Sequence, residues 1–137
     1  MTAGKPSLNP QEHLQRSGKL VQETADQLHE ILVQMSSALQ PFPYFMGSLE
    51  VQAVEAEPGG ANKADRGCIV VCTDGEMYDF TMKLQAGGGL DQAMDRDDSV
   101  ERIDLPHEDY ISYAFNAIKE LAALIEEKQG RAKKYSY

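Results

Sequence analysis

The chain has 137 residues, of which 42% are hydrophobic, with two cysteines and a formal net charge of −9. That length supports one domain with a core large enough to fold without disulfides or metal, and the apolar runs are far too short to cross a bilayer. The opening Met1-Thr-Ala-Gly-Lys-Pro-Ser has no apolar centre of a secretory signal, so a cytoplasmic protein is expected.

Residues 1–8 are predicted to be a flexible lead. Asn9-Pro10-Gln11-Glu12 then reads as a helix start, with Asn9 as cap, Pro10 at the first helical position and Glu12 where a capping-box carboxylate belongs. Leu14, Val21, Leu28 and Met35 recur every seven residues, and Ala25, Leu32 and Leu39 repeat the same spacing four residues later, forming a heptad seam. The helix is predicted over Asn9–Leu39, ended by Pro41-Phe42-Pro43. It would be about 45 Å long in a domain only about 30 Å across. Either it breaks near Gly18, or one end projects and needs a partner. Its second half carries the wider apolar band of a core helix. The first half is thin, so the seam residues Leu14, Val21, Ala25 and Leu28 are the expected contact with a second copy.

Three strands are predicted next. Leu49, Val51 and Ala53 alternate with polar residues, as in a half-buried strand. Cys68-Ile69-Val70-Val71-Cys72 is apolar on both faces and suits a central strand. Its cysteines, about 13 Å apart if the strand is extended, lie beyond disulfide reach and read as reduced core residues. Asp74-Gly75 signals a hairpin, after which Tyr78, Phe80, Met82 and Leu84 alternate. Gln85–Ser99 reads as a Gly- and Asp-rich loop. A last helix opens after Pro106, presents Ala114, Phe115, Ile118, Leu121 and Ile125, and is expected to stop at Gly130. The expected fold is α+β: a long first helix, a three-stranded antiparallel meander and a final helix. One domain over 9–130 would be followed by a basic flexible tail, 131–137.

The charge is unevenly placed. Between Glu50 and Asp109 fifteen acidic residues face five basic ones, while the chain's ends are balanced or basic. Lys5, Arg16, Lys19, Arg131, Lys133 and Lys134 are the candidates for phosphate contact, set against the plainer reading of solvated ends. Nothing resembles a base-reading element, so DNA binding would be largely independent of sequence. The Asp91–Glu101 stretch lacks EF-hand spacing and reads as a solvated acidic loop. His13, His29 and His107 each have a glutamate beside them in sequence but are scattered, without the spacing of a metal set. Gly87-Gly88-Gly89 is followed by acid and by no Lys-Ser/Thr, so it is no phosphate loop. No catalytic residue, metal or cofactor is predicted.

The long first helix, the stretch Gly67-Cys-Ile-Val-Val-Cys-Thr-Asp-Gly75 with its following alternating strand, and Ala114-Phe115-Asn116-Ala117 in the last helix occur in an order that resembles the YbaB/EbfC family of small bacterial nucleoid-associated proteins. The resemblance covers most of Asn9 to Gln129. It implies a homodimer joined through sheets and helices, with first helices projecting like tweezer arms, that grips double-stranded DNA with little sequence preference. The loops Pro58–Arg66 and Gln85–Ser99 are longer than that pattern. The reading of another class is a dimeric protein-interaction or chaperone-like module of a secretion or assembly system. A basic pole formed by both chain ends would favour DNA; an exposed apolar groove along the first helix would favour protein.

Overall fold

The computed structural model describes residues 9–58, 67–84 and 96–134. The first helix, α1 (Pro10–Ala38), is continuous through Gly18, and its 29 residues span about 43 Å. Asn9 caps it as expected, its side chain accepting hydrogen bonds from the amides of Gln11 and Glu12 at 3.1 and 3.3 Å. Four strands follow: β1 (Ala53–Glu55), β2 (Cys68–Cys72), β3 (Met77–Leu84) and β4 (Arg96–Arg102). The second helix, α2 (His107–Lys134), closes the chain.

The sheet is an antiparallel meander in the order β1-β2-β3-β4, so the expected three strands are four. The fourth pairs with β3 over seven positions, from Tyr78 opposite Arg102 to Leu84 opposite Arg96. Its sequence, Arg-Asp-Asp-Ser-Val-Glu-Arg, lies inside and just beyond the stretch expected to be loop. An edge strand with little burial on either face needs no apolar alternation, and its charges discourage further strand addition. The first strand is also shifted. Leu49 does not join it but stands 91% exposed at the tip of a turn. There Met46 and Gly47 take positive φ (48° and 73°), and the Ser48 hydroxyl accepts from the amides of Glu50 and Val51.

The β2–β3 hairpin forms where Asp74-Gly75 places it. The Gly75 amide donates to the Cys72 carbonyl at 2.9 Å, and Gly75 sits at φ +79°. The strand β2 is central, with Ile69, Val70 and Val71 wholly buried. Alternation sends Ile69 and Val71 to the helices and Val70 to the opposite face. On the helix side, Leu32 and Leu39 of α1 and Ala114, Ala117 and Leu121 of α2 pack with Val54, Ile69, Val71 and Met77. Each fully buried Leu or Ile there contributes about 1.5–3 kcal/mol. On the other side Phe45, Val51, Ala53, Val70 and Phe80 make a smaller cluster, with the two phenyl rings edge to face at 5.0 Å. Cys68 and Cys72 are free and half-buried at its rim; burial, aided by Asp74, pushes the Cys72 thiol up to about 12.

The two helices run parallel. The α1 residues Leu14 and Val21 share a concavity with His107 and Glu108 at the start of α2. Leu39 and Pro41, past the end of α1, share one with Leu124 and Arg131 near the end of α2. Gly130 does not stop α2, which continues to Lys134. Its absent side chain leaves open space, and Arg131 pairs with Glu127 one turn back across it. Residues 131–134 therefore belong to the helix and not to a flexible tail. No helix among the described residues is long and apolar enough to cross a membrane.

Candidate interaction site

The seam of α1 divides at Ala25. From Ala25 onward it faces the chain's own core: Ala25 is 3% exposed, and Leu28 packs against the helix-side cluster. These two expected dimer contacts are thus covered within one chain, because the start of α2 and the β2–β3 hairpin lie over them. N-terminal to Ala25 the cover thins. Leu14 is 65% exposed and Leu20 62%, while Val21 is partly covered. The half of α1 N-terminal to Ala25 carries the helix's two most exposed leucines.

Beside Ala25 lies a cleft of ≈ 170 Å³ between α1, the hairpin and the β4–α2 connection. Its floor is apolar, from Ala25, Met77, Ile103 and Leu105, and its walls carry Asp26, His29, Glu76, Arg102, Asp104, His107 and Tyr110. His29 Nε2 lies 2.9 Å from both carboxylate oxygens of Glu76. Arg102 Nη2 approaches the same carboxylate at 3.4 Å. The bridge ties α1, the hairpin and β4 together, although its solvent exposure limits its energetic worth. Among the described residues Asp26 and Asp104 have no hydrogen-bond or ion-pair partner, and the buried Tyr110 hydroxyl has none either. Burial, then the charges of Glu76 and Asp26, push that phenol up to about 12. Three carboxylates face one guanidinium, so the cleft is negative when its histidines are neutral.

Sequence spacing could not reveal this cleft. His29 and His107 are brought to it by the parallel helices, and the carboxylate on His29 is Glu76, 47 positions away, instead of its neighbour Glu30. Among the described residues no three His, Cys, Asp or Glu side chains are grouped as a metal site would need.

The phosphate-contact candidates are dispersed. Arg16 and Lys19 stand one turn apart on the exposed half of α1, on one surface with Leu20 and Glu23. Arg131 lies at the far end of α2 and is engaged by Glu127. Since the helices are parallel, about 36 Å of α2 separates the two levels. Lys5 lies outside the described residues, as do the side chains of Lys133 and Lys134 and most of the acidic stretch from Asp91. Phe42 and Phe45 are buried, and Tyr44 between them is exposed. Comparison with protein-family models, with curated proteins and with solved structures returns no match.

Proposed function

We propose that the chain is a nonenzymatic protein-interaction module that docks through the N-terminal half of α1. The observation that carries this reading is the exposure of Leu14 and Leu20 on that half of the helix. Leu14 stands with the partly covered Val21 beside the start of α2, Leu20 stands on a second face with Arg16 and Lys19, and covering either leucine on a partner removes apolar area from water. The distance between Arg16 and Arg131 supports it further, since the described basic residues of the two ends then form no single pole.

The test is a Leu14→Glu/Leu20→Glu variant beside the wild type. Both positions are exposed, so circular dichroism and the melting temperature should match. Self-association by light scattering, or a complex rebuilt from a purified partner retained by the wild type, should be lost in the variant. A wild type that is monomeric and retains nothing the variant fails to retain overturns the reading.

Binding to double-stranded DNA is the second reading, favoured by Arg16 and Lys19 standing one turn apart on that same exposed half. It requires a mobility shift at micromolar protein in low salt that Arg16→Glu/Lys19→Glu abolishes and that weakens steeply as salt rises.

A further inference from the structure

The turn that carries Leu49 and the concavity past the end of α1 are neighbours on one chain. Pro43 lines that concavity with Leu39, Pro41 and Leu124, beside Glu127, Lys128 and Arg131. From Pro43 the chain runs two residues, about 7 Å, to Phe45. The Ala53 amide donates to the Pro43 carbonyl at 3.0 Å and the Phe45 amide to the Val51 carbonyl at 2.9 Å, which holds this stretch as a hairpin. At its tip Leu49 stands almost bare, with Tyr44 and Met46 exposed nearby. The tip is fixed by the Ser48 hydroxyl, which takes two amides, and Met46 keeps a left-handed backbone that methionine seldom adopts. A leucine held this way loses little freedom when it is buried by a partner.

Tip and concavity match as knob and socket. A cavity of about 150 Å³ already admits benzene, so a concavity of ≈ 310 Å³ has room for a leucine side chain. Glu50 is the one charged residue from Phe42 to Gln52. At the socket Glu127 is paired with Arg131, which leaves Lys128 as the net charge. Among the described residues neither Glu50 nor Lys128 has an ion-pair partner. One chain thus bears an apolar knob beside an acid and, a hairpin's length away, an apolar socket beside a base. We infer that a second copy of the chain covers this face, each copy seating its Leu49 in the other's socket and setting its Glu50 against the other's Lys128. The same two patches are exchanged both ways, so a twofold axis relates the copies and the assembly closes at two. The contact uses nothing from the N-terminal half of α1, which stays open to another protein.

Sedimentation velocity of the full chain at up to about 200 µM should show a dimer. Leu49→Asp should weaken it at least about tenfold, as loss of a central anchor does. Glu50→Lys and Lys128→Glu should each weaken it several-fold, while the two combined should return it to within about threefold of the wild type. All three side chains are exposed, so circular dichroism should not change. Leu14→Glu/Leu20→Glu should keep this dimer. A chain that stays monomeric at that concentration overturns the inference. So does a Leu49→Asp variant that dimerises like the wild type, or a charge exchange that associates no better than its single variants. If the dimer is lost in Leu14→Glu/Leu20→Glu and kept in Leu49→Asp, the copies meet through α1 and the tip contact does not form. If it is lost in Leu49→Asp and kept in the α1 variant, the tip contact stands, and docking through α1 is decided by its partner complex.

Discussion

Two glycine-to-alanine substitutions should move stability in opposite directions. Gly75 sits at φ +79° in the β2–β3 turn, and a Cβ there would come 2.6 Å from Val33 Cα in α1. The left-handed conformation alone costs a non-glycine residue about 1–2 kcal/mol. Forcing a methyl against helix backbone adds about 1–3 kcal/mol, since neither partner is a flexible side chain. We expect Gly75→Ala to lose about 3 kcal/mol, which lowers the urea midpoint by about 2 M at a slope of about 1.5 kcal/mol per M. Gly18 is its converse: helical, exposed, with nothing within 4 Å of a built Cβ. Alanine there should stabilise by just under about 1 kcal/mol, raising the midpoint by about 0.6 M. Equilibrium urea unfolding followed at 222 nm measures both. A Gly75→Ala midpoint at or above wild type would mean that the hairpin does not rest on α1. A lowered Gly18→Ala midpoint would mean that α1 is not helical through that position.

Asn116 donates from Nδ2 to the carbonyl of the buried Glu57 at 2.9 Å, tying α2 to the chain just past β1. Asn116→Ala leaves that carbonyl without its donor and should cost about 1–3 kcal/mol, seen as a lower melting temperature. Tyr110 titrates near 12 in the folded chain against 10.0 when unfolded. Its contribution to stability is fully present below pH 10 and is lost as pH rises through about 12, because the unfolded chain ionises first. Tyr110→Phe should therefore flatten the alkaline fall in stability between those values, and tyrosinate absorbance at 295 nm should lose a late-titrating group. The Tyr78 phenol is also pushed up to about 12, first by its hydrogen bond to Asp74, so Tyr78→Phe should flatten the same fall and the double variant should lose both late-titrating groups.

The elements announced by local chemistry were legible in the sequence. Asn9 and Pro10 mark the start of α1, Asp74-Gly75 marks the hairpin, and the unbroken Ile69-Val70-Val71 marks a strand buried on both faces. Each signal is a side chain acting on its own backbone or on a whole run of neighbours. What stayed hidden was set by tertiary context. Strand β4 exists because β3 offers it a partner, and a charged edge strand has no apolar period to read. Glycine at position 130 is tolerated because α2 has open space around it, so its usual role as a stop does not apply. Ala25 carries the seam's spacing, yet only the placement of the hairpin and of α2 decides that its own chain covers it. The cleft is the extreme case, with His29, Glu76, Arg102 and Tyr110 gathered from four separate elements.

The parallel pairing of α1 with α2 makes the first and last helices of the described chain each other's neighbours over the same sheet. On the ribosome, Ile69 and Val71 emerge long before Ala114, Ala117 and Leu121 exist to shelter them. Until α2 is made, the nascent meander's greasy side has α1, through Leu32 and Leu39, as its only helix cover.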